Sequence, residues 1–70
     1  MDRVPVASSN IAMIGYDARE QVLEVEFKNG RVYQYFGVPE SVHVDLMGAG
    51  SQGKFFNANI KNAYPSSRTE

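Results

Sequence analysis

No cysteine occurs in this 70-residue chain. Neither a disulfide nor a thiolate metal site is open to it, and the lack of thiols fits a reducing compartment. Histidine is nearly absent too, with His43 alone. One imidazole without clustered carboxylates makes no metal site by spacing, so no metal and no cofactor are expected. Neither sign of charge is in excess: seven basic residues stand against eight acidic ones, a net charge of −1. Such a chain projects no long-range field toward nucleic acid or an anionic membrane. No apolar run approaches the ~20 residues of a membrane-spanning helix. Met1-Asp-Arg-Val-Pro-Val6 lacks the apolar core of a signal peptide. No Gly-x-Ser-x-Gly elbow is present, and a single histidine leaves a nucleophilic serine little choice of base. The expectation is a soluble, cytoplasmic, non-catalytic protein without membrane contact.

What is there argues for a folded domain. Hydrophobic residues make up 43% of the chain, against disorder. A chain this short buries a modest fraction of its surface and is marginal alone, so self-association is a further expectation.

One segment constrains the fold tightly: Leu23-Glu-Val-Glu-Phe-Lys-Asn-Gly-Arg-Val-Tyr-Gln-Tyr35. Leu23, Val25 and Phe27 alternate with Glu24 and Glu26, the period of a half-buried strand. Asn29-Gly30 is a turn signal. A two-residue turn sets Phe27 opposite Val32 and leaves Gln34 on the apolar face. A three-residue loop, Lys28-Asn29-Gly30 with Gly30 left-handed, sets Phe27 opposite Arg31, Val25 opposite Tyr33 and Leu23 opposite Tyr35. A one-residue slip reverses every side chain. Matching the apolar faces favours the three-residue loop.

Around the hairpin, Ile11–Tyr16 reads as a preceding strand. Pro39-Glu40 suits a helix start, with Val42, Leu46 and Met47 on one face. Gly48-Ala49-Gly50 ends that helix, and Ser51 is a plausible cap for a second. In the second, Phe56, Ile60, Ala63 and Tyr64 share a face and Pro65 gives the stop. The expected fold is α+β: a three-stranded antiparallel β-meander with two short helices packed on one face. Residues 1–7 and 65–70 read as flexible termini. Phe27, Leu23, Val25, Tyr33 and Tyr35 should meet Val42, Leu46, Phe56 and Ile60. Glu24, Glu26 and Gln34 should face water, with Val22 and Phe36 as apolar exceptions.

The order Ser8-Ser9-Asn10-Ile11, Ile14-Gly15-Tyr16-Asp17, Leu23-x-Val25-x-Phe27 with Asn29-Gly30, Tyr33-x-Tyr35, Val38-Pro39, Leu46-Met47-x-Ala49-x-Ser51-x-Gly53 and Phe56-Asn57-x-x-Ile60-Lys61 resembles the KTSC domain. That family is named for the C-terminal domain of some lysyl-tRNA synthetases and includes stand-alone bacterial proteins, the form this chain matches. The resemblance spans residues 8–64 as a single domain. It implies a small binding module of unestablished function, with RNA, and tRNA in particular, as the ligand suggested by the synthetase setting.

Two groups of residues answer to that ligand. Tyr33 and Tyr35 are the family's Tyr-x-Tyr. They either fill the core beside Val25 and Leu23 or stack on bases from an exposed sheet; the favoured register places them in the core. Lys54, Asn57 and Lys61 fall on one side of the second helix, with Arg68 beyond. They form either a phosphate-binding stripe or an ordinary solvated face. Lys28 and Arg31 add cations at the hairpin tip. The alternative function is protein interaction or homodimerisation, through an open edge at the first strand and the apolar Val22 and Phe36. Gly48-Ala-Gly50-Ser-Gln-Gly53 matches a dinucleotide fingerprint in letters only, because a helix and not a strand precedes it.

Overall fold

The computed structural model describes all residues, Met1–Glu70. Five strands and two helices follow in the order β1 (Arg3–Pro5), β2 (Ile11–Asp17), β3 (Val22–Phe27), β4 (Val32–Phe36), α1 (Glu40–Gly48), α2 (Gln52–Asn59) and β5 (Ser66–Arg68). The strands form one antiparallel sheet in sequence order, β1-β2-β3-β4-β5. The two helices lie between β4 and β5 in the chain.

The α+β class and the two helices match expectation, whereas the strand count of three does not. The two extra strands come from the segments read as loose termini. Arg3–Pro5 pairs with Met13–Gly15, and Ser66–Arg68 pairs with Tyr33–Tyr35. Neither has the apolar alternation of a half-buried strand. Both are three-residue edge strands, whose backbone pairing leaves no periodic trace in sequence. The Ile11–Asp17 strand is therefore interior and not an open edge.

The hairpin takes the three-residue loop. Val25 pairs with Tyr33, Leu23 with Tyr35 and Glu24 with Gln34. Gly30 sits at φ 89° and its amide donates to the Phe27 carbonyl at 2.9 Å, while the Phe27 amide donates to Arg31 at 2.8 Å. Positive φ is what glycine supplies at this bulge. A second irregularity lies between Ile11 and Met13 in β2. It lets Ile11 and Ile14, three residues apart, both reach the core, where each is at most 1% exposed.

Nine buried residues form the core: Ile11, Ile14, Leu23, Val25 and Tyr35 from the sheet, and Val38, Leu46, Phe56 and Ile60 from the helical side. Val42 and Tyr33 pack at its margin. The Tyr16 hydroxyl donates to the Val38 carbonyl and its ring stacks on His43, with centroids 4.6 Å apart. His43 is thus a packing residue of α1.

The second helix ends at Asn59, earlier than the expected stop before Pro65. The amides of Ile60 and Lys61 both donate to the Phe56 carbonyl at 3.0 Å, closing the last turn. Asn57 and Asn59 are weak helix formers and give little drive to continue. Ser51 does cap the helix, accepting from the Lys54 amide at 3.3 Å.

Candidate functional site

The two faces of the sheet carry different chemistry. The helix-covered face ends in an open cleft of about 590 Å³ between the hairpin tip, β4, β5 and the end of α2. Its apolar lining is aromatic: Phe27, Tyr33, Tyr35 and Phe56. These rings form one cluster. Phe56 meets Phe27 and Tyr35 edge-on at 5.6 and 5.3 Å, Phe27 meets Tyr33 edge-on at 6.0 Å, and Tyr33 and Tyr35 lie near parallel at 6.4 Å. Such geometries suit the quadrupoles of the rings and hold the cluster rigid.

Around this floor stand Lys28 and Arg31 from the hairpin, Lys61 from the turn after α2, and Asn10, Asn57 and Asn62. No carboxylate lines the cleft. All three ion pairs of the chain use Arg3, so Lys28, Arg31 and Lys61 are unpaired cations. Arg68 stands opposite Tyr33 on β5, adding a positive charge on the same side of the sheet. Neither tyrosine hydroxyl is hydrogen-bonded within the chain, yet no buried polar side-chain atom lacks a partner. Tyr35 as a residue is 5% exposed, and what it shows to solvent includes its hydroxyl. Burial, then the neighbouring Tyr33, pushes the Tyr35 hydroxyl above its ordinary pKa. It therefore stays protonated at neutral pH, able to donate into the cleft.

The core and surface readings of the Tyr-x-Tyr pair meet here. Tyr35 is core and Tyr33 is half-buried, and both face the cleft. Lys28, Arg31, Asn57 and Lys61 gather with them, although they come from separate elements. Lys54 is exposed but does not line the cleft, and Lys61 lies past the helix end, so the expected helical stripe is split. Sequence reading missed Phe27, Phe56, Asn10 and Asn62 as lining residues. The hairpin register contains the signal for Phe27, which shares a face with Tyr33; the turn after α2 that turns Asn62 inward has no such signal.

The opposite face is acidic and closed. Arg3, Gly15, Glu24, Gln34 and Ser67 stand in one row across the five strands. Arg3 lies along the sheet, with Nε 3.2 Å from Glu24 and Nη1 2.9 Å from Glu26. Gln34 Nε2 donates to Glu24 at 2.9 Å. Glu24 is buried, contrary to the wet face expected of it. The N-terminal strand brings the arginine that compensates this carboxylate. Val22 and Phe36 pair on the same face, and Phe36 remains 37% exposed.

Comparison with known proteins assigns this architecture. The KTSC domain model matches residues 7–64. The chain belongs to the KTSC domain family. A crystal structure of a KTSC domain protein from Yersinia pestis superposes with a TM-score of 0.93 at 43% identity, covering 99% of this chain and 97% of that one. An uncharacterised protein of Stutzerimonas stutzeri is 44% identical and covers 87% of this chain and 86% of its own length. A lysine–tRNA ligase of Nostoc punctiforme is 45% identical over 56 residues, 80% of this chain and 10% of the ligase. The KTSC domain thus occurs both as nearly a whole protein and as a small part of a synthetase. No helix of this KTSC chain is long and apolar enough to cross a membrane.

Proposed function

We propose that this KTSC domain is a non-catalytic RNA-binding module, with tRNA as a natural ligand class and the aromatic cleft as its binding surface. The observation that carries the reading is the sorting of charge. A chain of net charge −1 places three unpaired cations around one cleft and no carboxylate in it. Cations neutralise phosphates and release counterions, while aromatic rings accept bases of any sequence. The relative within a lysine–tRNA ligase supports RNA over other polyanions. The cleft holds no histidine or carboxylate to serve as general base, which supports binding without catalysis. The ligand class implies a cytoplasmic setting.

The test is an amide NMR titration with bulk tRNA at low and moderate salt. Shifts should fall on Lys28, Arg31, Asn57 and Lys61 and fade with salt, with a slope reflecting about three phosphate contacts. The triple variant Lys28→Glu, Arg31→Glu, Lys61→Glu should lose about a hundredfold in affinity while staying folded, since none of these charges is paired. Absence of shifts at low salt would remove the reading. Self-association keeps one supporting observation, the exposed Phe36 beside Val22. Sedimentation of wild type against Phe36→Ser would detect it.

A further inference from the structure

We propose that the cleft takes one unpaired nucleotide of single-stranded RNA, its base on the aromatic floor and its flanking phosphates on the rim. This rests on the RNA-binding reading and deepens it. Three observations converge on an unpaired base. The aromatic lining is recessed: Tyr35 and Phe56 are core residues, 5% and 3% exposed, and the half-buried Phe27 and Tyr33 are the rings that offer surface to a ligand. A duplex stacks its base faces inside itself and offers phosphates, 2′-hydroxyls and groove edges. It could engage Lys28, Arg31 and Lys61 and leave the floor empty. Only a splayed base reaches the half-buried face of Tyr33.

The cations flank the floor from two sides. Lys28 and Arg31 stand on the hairpin, and Lys61 stands on the turn after α2. A single strand crossing from one to the other places a phosphate on each side of the seated base. The Lys28 amide donates to the Asn10 carbonyl at 2.8 Å, which fixes the hairpin tip against the cleft wall.

Polar groups line the same cleft. The side-chain amides of Asn57 and Asn62 line the cleft and bond to nothing in the protein, as do the hydroxyls of Tyr33 and Tyr35. An amide offers a donor and an acceptor together, the pairing that base edges require. A volume of about 590 Å³ lies within the ~300–1,000 Å³ of clefts that enclose one small molecule.

Fluorescence anisotropy with a short single-stranded RNA, and with the same RNA annealed to its complement, tests this at matched salt. The single strand should bind about tenfold tighter, the scale of one base–aromatic stack. Tyr33→Leu keeps apolar packing on Phe27 but removes the stacking face, and should erase that difference without weakening the duplex. Should Tyr33→Leu fail to fold, Asn57→Ala with Asn62→Ala, at exposed positions, serves in its place and should narrow the same gap. Equal binding of both RNA forms, with the charge-reversal variant losing both, would overturn the single-nucleotide site and leave the RNA module standing. No binding of either form at low salt would overturn both.

Discussion

The two faces of this sheet spend their charges differently. On the far face, Arg3 lies between Glu24 and Glu26, and Gln34 completes the set. Glu24 and Glu26 both have Arg3 at hydrogen-bond distance, with Glu70 farther off at 4.0 Å, and the cluster staples β1 to the sheet. On the cleft face, Lys28, Arg31 and Lys61 have no partner at all. Paired buried charge resists removal and contributes to fold integrity, whereas unpaired charge at a rim adds little to stability and stays available to a ligand. The far face should therefore govern folding and the cleft should govern binding.

The sharpest way to break this division is Gly15→Val. A Cβ at position 15 would stand 2.7 Å from the Asp2 carbonyl and 3.1 Å from the Arg3 Cγ. Position 15 is the place where Arg3 crosses β2 on its way to Glu24, so any side chain evicts the arginine. β1 should detach, losing its backbone pairing with β2 and the Arg3 contacts to Glu24 and Glu26. We expect a loss of about 3 kcal/mol from the backbone clash and the lost strand, a large share of the ~5 kcal/mol available to a small domain, read as a lowered urea midpoint. The counterpart is the triple charge reversal in the cleft, expected to cost affinity and leave that midpoint within about 0.5 kcal/mol. If the cleft variant unfolded and Gly15→Val did not, the assignment of roles would be reversed.

The hairpin register was legible in sequence because it follows from matching one apolar face to another. Leu23, Val25, Tyr33 and Tyr35 leave a single satisfactory pairing, and the Asn29-Gly30 turn agrees with it. Both helix starts were legible for a similar reason, since Pro39 and Ser51 act on their immediate neighbours. The edge strands were not, because Arg3–Pro5 and Ser66–Arg68 are selected by sheet edges that exist only after folding. The cleft falls between these cases. Its residue types were visible one by one, but Lys28, Asn57 and Lys61 come together through the packing of α2 on the sheet. Sequence spacing had joined Lys61 to Lys54, along a helix that ends before reaching it.

A smaller effect separates the arginine from the strand that carries it. Arg3→Met keeps much of the apolar stem over Gly15 and removes the guanidinium. Its side chain is 28% exposed, so solvent moderates the loss. We expect about 1–2 kcal/mol, the scale of charged hydrogen bonds in a partly wet site. RNA affinity should hold; a fall would indicate that Arg3 had been screening the acidic face. Combining Arg3→Met with Glu24→Gln should cost less than the sum of the two, because each leaves the other's partner bare. Strict additivity in that cycle would mean that Arg3 acts through strand packing alone.

The smallest effect tests a third region, neutral to both faces. His43 stacks on Tyr16, and burial lowers its pKa below the ordinary 6.5, with Glu40 opposing. The folded protein therefore holds His43 neutral where the unfolded chain already takes up a proton. Stability should be fully present above about 6.5, the unfolded value, and should decline as pH falls toward the lower folded value. Tyr16 carries the opposite sign: burial first, then Glu40 and Asp17, raise its pKa, so its contribution is lost only as pH climbs above the ordinary 10.0. The two windows do not overlap, and urea midpoints between pH 5 and 7 isolate the histidine. His43→Gln should flatten that interval and leave the alkaline limb in place. An unchanged acid slope in His43→Gln would show that the stack of His43 on Tyr16 is not the acid-sensitive contact of the domain.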